Sequence, residues 1–185
     1  MPALTEADRS SLLRLARRSL TQYTESKEIP STGKFSESLR LRLGVFVTLR
    51  RGETLRGCIG FATGIKPLAE AVVHCVIAAG HEDLRFDPVE VTELDDIHIE
   101  ISVLGEPQLV RDISEIEVGK HGLIVEKAAR RGLLLPQVAV EHGFDAARFL
   151  DEVCVKAGLD RGAWQDRTAR LSRFTAEVFC EKRGR

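Results

Sequence analysis

From Ile97 to Leu104 apolar and polar residues alternate without a break: Ile97, Ile99, Ile101 and Val103 fall on one side, His98, Glu100 and Ser102 on the other. A period of two marks a strand with one face buried. Leu12, Leu13, Leu15, Ala16, Leu20 and Tyr23 recur instead at helical spacing and predict an amphipathic helix running to about Ser26. Thr5 sets its start as a capping hydroxyl, with an acid three positions on at Asp8. A loop is expected over Ile29 to Lys34, which holds Pro30 and Gly33.

Gly44 to Phe61 predicts a hairpin: Val45-Phe46-Val47-Thr48-Leu49, a turn at Arg50-Arg51-Gly52-Glu53, and a return strand from Thr54. After it, Pro67 suits a first helical turn, and Leu68, Ala71, Val72, Cys75, Val76 and Ala79 form an apolar helical stripe. The segment ending in Asp87-Pro88 closes that element, because a residue before proline avoids helix. A second hairpin is predicted from His121 to Glu126 and Gly132 to Val138, turning at Arg130-Arg131-Gly132. Asp145 caps a further helix carrying Phe149, Leu150, Val153 and Cys154 and closed by Gly158, and a last strand is expected from Arg170 to Glu181.

Each half thus holds a hairpin followed by a helix, although residue-level similarity is too weak to claim a duplication. Hairpins and helices without regular β-α-β alternation predict an α+β fold with a largely antiparallel sheet and flanking helices. No stretch is long or polar enough to act as a linker, so a single domain over residues 1–185 is expected.

Charge alters this picture only by exclusion. The 27 basic and 28 acidic side chains are interspersed, which does not fit a general nucleic-acid binder. No apolar run is long enough to cross a bilayer, and the polar Met1 to Ser10 lacks the apolar stretch of a secretory signal. A cytoplasmic protein is expected. Cys58, Cys75, Cys154 and Cys180 are widely spaced, so neither a zinc site nor a C-x-x-C redox pair is supported and no metal is expected.

Candidate chemistry concentrates in Arg56-Gly57-Cys58-Ile59-Gly60. Strand alternation puts Arg56 and Cys58 on one face, where a cation beside the sulfur would favour the thiolate. Gly57 and Gly60 would let a ligand or another backbone approach closely. Ordinary packing of a buried free cysteine accounts for the same pattern. A base for the thiol would come from His74, His81, His98, His121 or His142, and spacing does not choose among them. His81-Glu82-Asp83 with Arg85 offers metal ligands or an acid-base pair, set against a solvated helix end with Arg85 in a local ion pair. Gly119-Lys120-His121-Gly122 suits a tight turn exposing Lys120 and His121, either as an anion site or as a plain turn. Lys156 complements a helix C-terminus, and Trp164 is expected in the core or in a lid. No phosphate-loop, dinucleotide, nucleophile-elbow or zincin motif is present.

Taken in order, Gly44-Val-Phe-Val-Thr-Leu49, Leu55-Arg-Gly-Cys-Ile-Gly60, Asp83-Leu-Arg-Phe86, Glu100-Ile-Ser-Val-Leu104, Gly119-Lys-His-Gly-Leu123, Leu134-Leu-Pro-Gln-Val138 and Lys156-Ala-Gly-Leu159 resemble the AMMECR domain family, also called AmmeMemoRadiSam system protein A. The resemblance spans nearly the whole chain, and the Leu-Arg-Gly-Cys-Ile-Gly block is the family's hallmark. Its characteristic positions here are Arg56, Gly57, Cys58, Gly60, Asp83, Arg85, Phe86, Gly119, His121, Gly122, Pro136, Lys156 and Trp164. Leu84 departs from it, since many members have proline there.

The resemblance implies an α+β fold of two lobes with the hallmark strand lining a cleft. It also implies a genomic association, in many prokaryotes, with a Memo-like protein and a radical SAM protein as candidate partners, and it brings no established activity or cofactor. The expectation is a site for a small molecule or modified residue beside the Leu55–Gly60 strand, with Cys58 as nucleophile or redox thiol. Arg56, Gly57, Gly60, Asp83, Arg85, Lys120 and His121 would bind substrate. The alternative is a non-catalytic adaptor or scaffold of the same system. Long helix faces and edge strands permit a homodimer.

Overall fold

A computed structural model describes residues 4–31, 33 and 35–182. Thr32 and Lys34, part of the expected loop over 29–34, lie outside the described residues. The chain divides into two compact units, one of residues 1–103 with 177–185, the other of residues 104–176. Each is α+β, and every strand pairing resolved within a unit is antiparallel.

The first unit opens with helix α1 (Glu6–Ser26), whose cap is the expected one: the Thr5 hydroxyl accepts from the Asp8 N–H while the Asp8 carboxylate accepts from the Thr5 N–H. Lys27, in the left-handed conformation at φ 61°, ends it. A short helix α2 (Glu37–Arg40) leads to β1 (Val45–Arg51) and β2 (Thr54–Phe61), joined through Gly52 at φ 60°. Helix α3 (Leu68–His81) follows, then β3 (Ile97–Leu104). The strands stand in the order β2-β1-β3, with the C-terminal end of β7 (Arg170–Cys180) beside β3.

Val45, Val47 and Leu49 of β1 and Ile97, Ile99, Ile101 and Val103 of β3 supply the buried face. Helix α3 lies on β1 and β2 and is covered in turn by α1, which is why it is apolar nearly all round. Arg17 ties the layers together: it donates to the Leu94 carbonyl (2.8 Å), the Ile97 carbonyl (2.6 Å) and the Glu181 carboxylate.

The second unit contains β4 (Gln108–Leu109), β5 (His121–Lys127), β6 (Arg130–Leu134), helix α4 (Pro136–Glu141), helix α5 (Ala146–Lys156) and most of β7. Its core joins Leu123 and Val125 to Phe149, Leu150, Val153 and Cys154.

Three features differ from the sequence expectation. In the first hairpin Arg50 and Arg51 pair within β1, so the turn is Gly52-Glu53 alone. The second hairpin turns at Ala128-Ala129, with Ala128 at φ 53° and Lys127 opposite Arg130, so Arg130, Arg131 and Gly132 lie within β6. The strand expected to reach Val138 ends at Leu134, because Pro136 opens α4 at the position where a fixed φ and a missing N–H cost nothing.

One contact type recurs in both units. A Cβ on Gly57 would overlap the carbonyl of Ala79 in α3. A Cβ on Gly132 would stand 2.6 Å from the Ala157 nitrogen and 2.7 Å from the Val153 oxygen in α5. In each hairpin a glycine of the second strand lets the helix backbone rest directly on the strand. Gly57→Ala and Gly132→Ala are each expected to destabilise the protein by about 2–3 kcal/mol, since backbone atoms cannot yield as a side chain does. Urea unfolding midpoints at constant slope measure the loss.

Candidate functional site

Along β2, Gly57, Ile59 and Phe61 face α3 and the core, while Cys58 and Gly60 lie on the opposite face. The register shift at Leu49/Arg50 leaves Arg56 without a cross-strand partner and sets Leu55 opposite Arg50, so the alternation expected to align Arg56 with Cys58 is broken between them. Strand register then builds the surface around the thiol. Cys58 lies opposite Thr48, and Thr48 lies opposite Glu100 of β3, so a thiol, a hydroxyl and a carboxylate form one row across three strands. The Thr48 hydroxyl donates to the Cys58 sulfur at 3.4 Å. The adjacent row is Gly60, Phe46 and Ser102, and Arg50 pairs with His98 further along. Thr48 is buried, Cys58 and Glu100 are half-buried, and Ser102 is 1% exposed, its hydroxyl without a hydrogen-bond partner among the described residues. The Phe46 ring fills the space that a side chain on Gly60 would need.

The turn after α3 grips Cys58 from the side. Buried Asp83 accepts from the Cys58 N–H at 2.9 Å and from Arg85 at 2.9 and 2.6 Å. Arg85 reaches the Cys58 carbonyl at 3.4 Å and lies over the Phe86 ring. Hydrogen bonds from Arg85, then from the Cys58 N–H, hold the Asp83 carboxyl well below the usual carboxylate range against the opposing effect of burial. The helix end thus holds the local ion pair expected for Arg85, between an exposed guanidinium and a buried carboxylate. Leu84 at the tip of the turn is fully exposed, at 101%.

Arg56 does not stand as a lone cation beside the sulfur. It forms a two-point pair with Glu93 (3.0 and 2.9 Å) and donates to the Asp87 carbonyl at 2.9 Å. The planar guanidinium matches a carboxylate far better than a thiol. Arg56 holds the Glu93 carboxyl down from 4.5 to about 2.

Lys120 and His121 belong to the second unit. Their turn exposes Lys120, which pairs with Glu117 at 2.8 Å, but buries His121, whose Nδ1 accepts from the Glu117 N–H at 3.0 Å. Burial keeps the imidazole pKa low, assisted by the charges of Arg173 and Lys120. The expected exposure of both side chains thus holds for Lys120 alone.

Three of the other four histidines are engaged in packing: His74 stacks on Phe61, His81 meets Tyr23 and the Thr24 hydroxyl, and His142 stacks on Phe144, while half-buried His98 lies opposite Arg50 in the sheet. Trp164 packs on the core of the second unit and donates to Asp151 at 2.9 Å. Cys75 is buried and its thiol is pushed up to about 12, first by desolvation. Among the described residues, no group of three or more His, Cys, Asp or Glu side chains is placed to hold a metal ion. No helix among them is long and apolar enough to cross a membrane.

Thr48, Glu93, Glu100 and Ser102 were not singled out from sequence. The alternation of His98, Glu100 and Ser102, and a lone threonine in the apolar β1, were the available signals, but only strand pairing aligns them with Cys58.

The sequence matches the AMMECR1 family model over residues 13–179. Protein PH0010 of Pyrococcus horikoshii is 45% identical over 182 residues, covering 92% of this chain and 88% of that protein. A protein of Methanothermobacter thermautotrophicus is 42% identical over 185 residues, covering 96% of each. The crystal structure of uncharacterized protein PH0010 superposes with a TM-score of 0.88 at 43% identity, covering 92% of this chain and 90% of that one. The chain belongs to the AMMECR1 family.

The Arg56–Glu93 pair carries a pH signature. A carboxyl lowered from 4.5 to about 2 in the folded state stabilises it above the unfolded value, and that contribution is lost as pH falls towards 2. Glu93→Gln is expected to cost about 1–2 kcal/mol at pH 7, since both partners are mostly buried. Unfolding free energies of the two proteins should converge as pH falls from 4.5 to about 2.

Proposed function

We propose that this chain binds a small polar molecule or a modified side chain over the Cys58–Thr48–Glu100 row, as one component of a modification system containing a Memo-like protein and a radical SAM protein. The row itself carries the proposal. A donor hydroxyl, a sulfur and a carboxylate sit on rigid neighbouring strands, the thiol's own backbone is clamped by Asp83, and the nearby Ser102 hydroxyl is unpaired. The partner system is what the family resemblance implies.

In the catalytic form of this function, Cys58 acts as nucleophile or redox thiol, with the Arg85 face holding a polar group of the substrate. The second form is a non-catalytic adaptor. It is favoured by Leu84, fully exposed on a turn fixed through Asp83, Arg85 and Arg56, and by the pairing of Arg56 and Arg85 with carboxylates. An exposed apolar side chain on rigid backbone suits protein contact.

Native mass spectrometry of gently purified protein tests the binding function. A bound species is expected in the wild type and should be lost or depleted in Cys58→Ser and Thr48→Val; a wild type without any adduct would count against binding. Exposed Cys180 supplies an internal reference for the catalytic form. Cys58 should alkylate faster than Cys180 despite its lower exposure, and a slower Cys58 leaves only the adaptor. Failure to co-purify with the Memo-like and radical SAM proteins would remove the system-level part.

A further inference from the structure

The second unit carries a hollow of about 300 Å³ that the Cys58 surface does not explain. Its floor is apolar: Leu150 is fully buried, while Val110, Trp164 and Leu171 pack on the core with part of their surface left uncovered. Its walls are fixed. The Val110 N–H donates to the Leu171 carbonyl at 3.0 Å, and Asp151 holds the indole N–H at 2.9 Å and the Gly162 N–H at 2.8 Å. Ordinary packing would bring a side chain into such a space, since voids with apolar linings lose contacts on one side.

The rim is polar. Arg111 is exposed and is anchored by its backbone N–H, which donates to Glu115 at 3.0 Å. Among the described residues its guanidinium has no hydrogen-bonded or ion-paired partner. That sets it apart from Arg56, Arg85, Arg148, Arg161 and Arg173, all of which meet carboxylates. The neighbouring Asp112 is occupied, its Oδ1 accepting from the Ser114 N–H at 2.8 Å and from the Ser114 hydroxyl.

We propose that this hollow is a binding site for a small carboxylate with an apolar body, the apolar part resting on Trp164, Val110 and Leu171 and the carboxylate pairing with Arg111. A hollow with an apolar floor and one cation among the residues at its rim fits the general build of small-ligand pockets, and its volume, at the low end of their range, sets an upper limit on ligand size. A guanidinium fork binds a carboxylate at two points, so charge and orientation are specified together.

Trp164 is the only tryptophan of the chain, so native emission reports on this site alone. Phenylacetate is a suitable probe, and millimolar affinity is expected for a fragment of its size. Titration should change Trp164 emission saturably and raise the thermal midpoint. The neutral phenylacetamide, and phenylacetate with Arg111→Gln, should each bind about tenfold more weakly. Arg111→Lys should recover part of the affinity, and Ala169→Leu, which fills the hollow, should abolish binding. Absence of any saturable response up to about 20 mM overturns the proposal, because that concentration exceeds the expected range. So does equal binding of acid and amide, or equal binding to wild type and Arg111→Gln.

Discussion

Backbone-to-backbone contact between a strand and a helix is the constraint on which this architecture rests. At Gly57 the carbonyl of Ala79 occupies the volume where any other residue would carry a Cβ. That close approach seats α3 flat on β1 and β2, and it fixes where the helix ends. The chain leaving His81 must then run alongside β2, which brings Asp83 to the Cys58 N–H and delivers Asp87 to Arg56. The second unit repeats the device with Gly132 under α5. The glycines of the hallmark block thus act first through packing.

The irregular segment between α3 and β3 is held by short backbone turns and by side-chain ion pairs together. Asp83 with Arg85, and Arg56 with Glu93, supply directional bonds where no ladder exists, while the Val89 N–H returns to the Gly80 carbonyl. Arg17 serves the same purpose on the far side of the layer, meeting two carbonyls and the Glu181 carboxylate. Paired charges of low exposure are costly to bury singly but effective once every partner is present.

Elements with strong periodicity were legible from the sequence alone. The alternation over 97–104, the Thr5-Asp8 cap and the stripe from Leu68 to Ala79 each reported a local rule, and each has its expected counterpart. What failed was local too, but ambiguous. Gly132 looked like a turn residue because glycine serves turns and tight packing alike, and Pro136 suits a strand end as well as a first helical turn. The site was legible at Cys58, Asp83 and Arg85 as a set of neighbours in sequence or resemblance. Its partners Thr48, Glu100 and Glu93 were not, because register and side-chain pairing depend on contacts distant in the chain. Burial of His121 escaped for the same reason: a short polar turn gives no sign of which side chain folds inward.

Strand β2 ends the sheet of the first unit, and the outward N–H and C=O of Cys58 are the groups that a stray extended chain would seize. Asp83 takes the first and Arg85 reaches the second, so two side chains stand in for the strand that is missing. The same clamp that steadies the thiol's backbone therefore also guards the sheet against self-propagating pairing. At Cys58 the edge of β2 is closed by side chains while the face bearing its thiol is left clear of them.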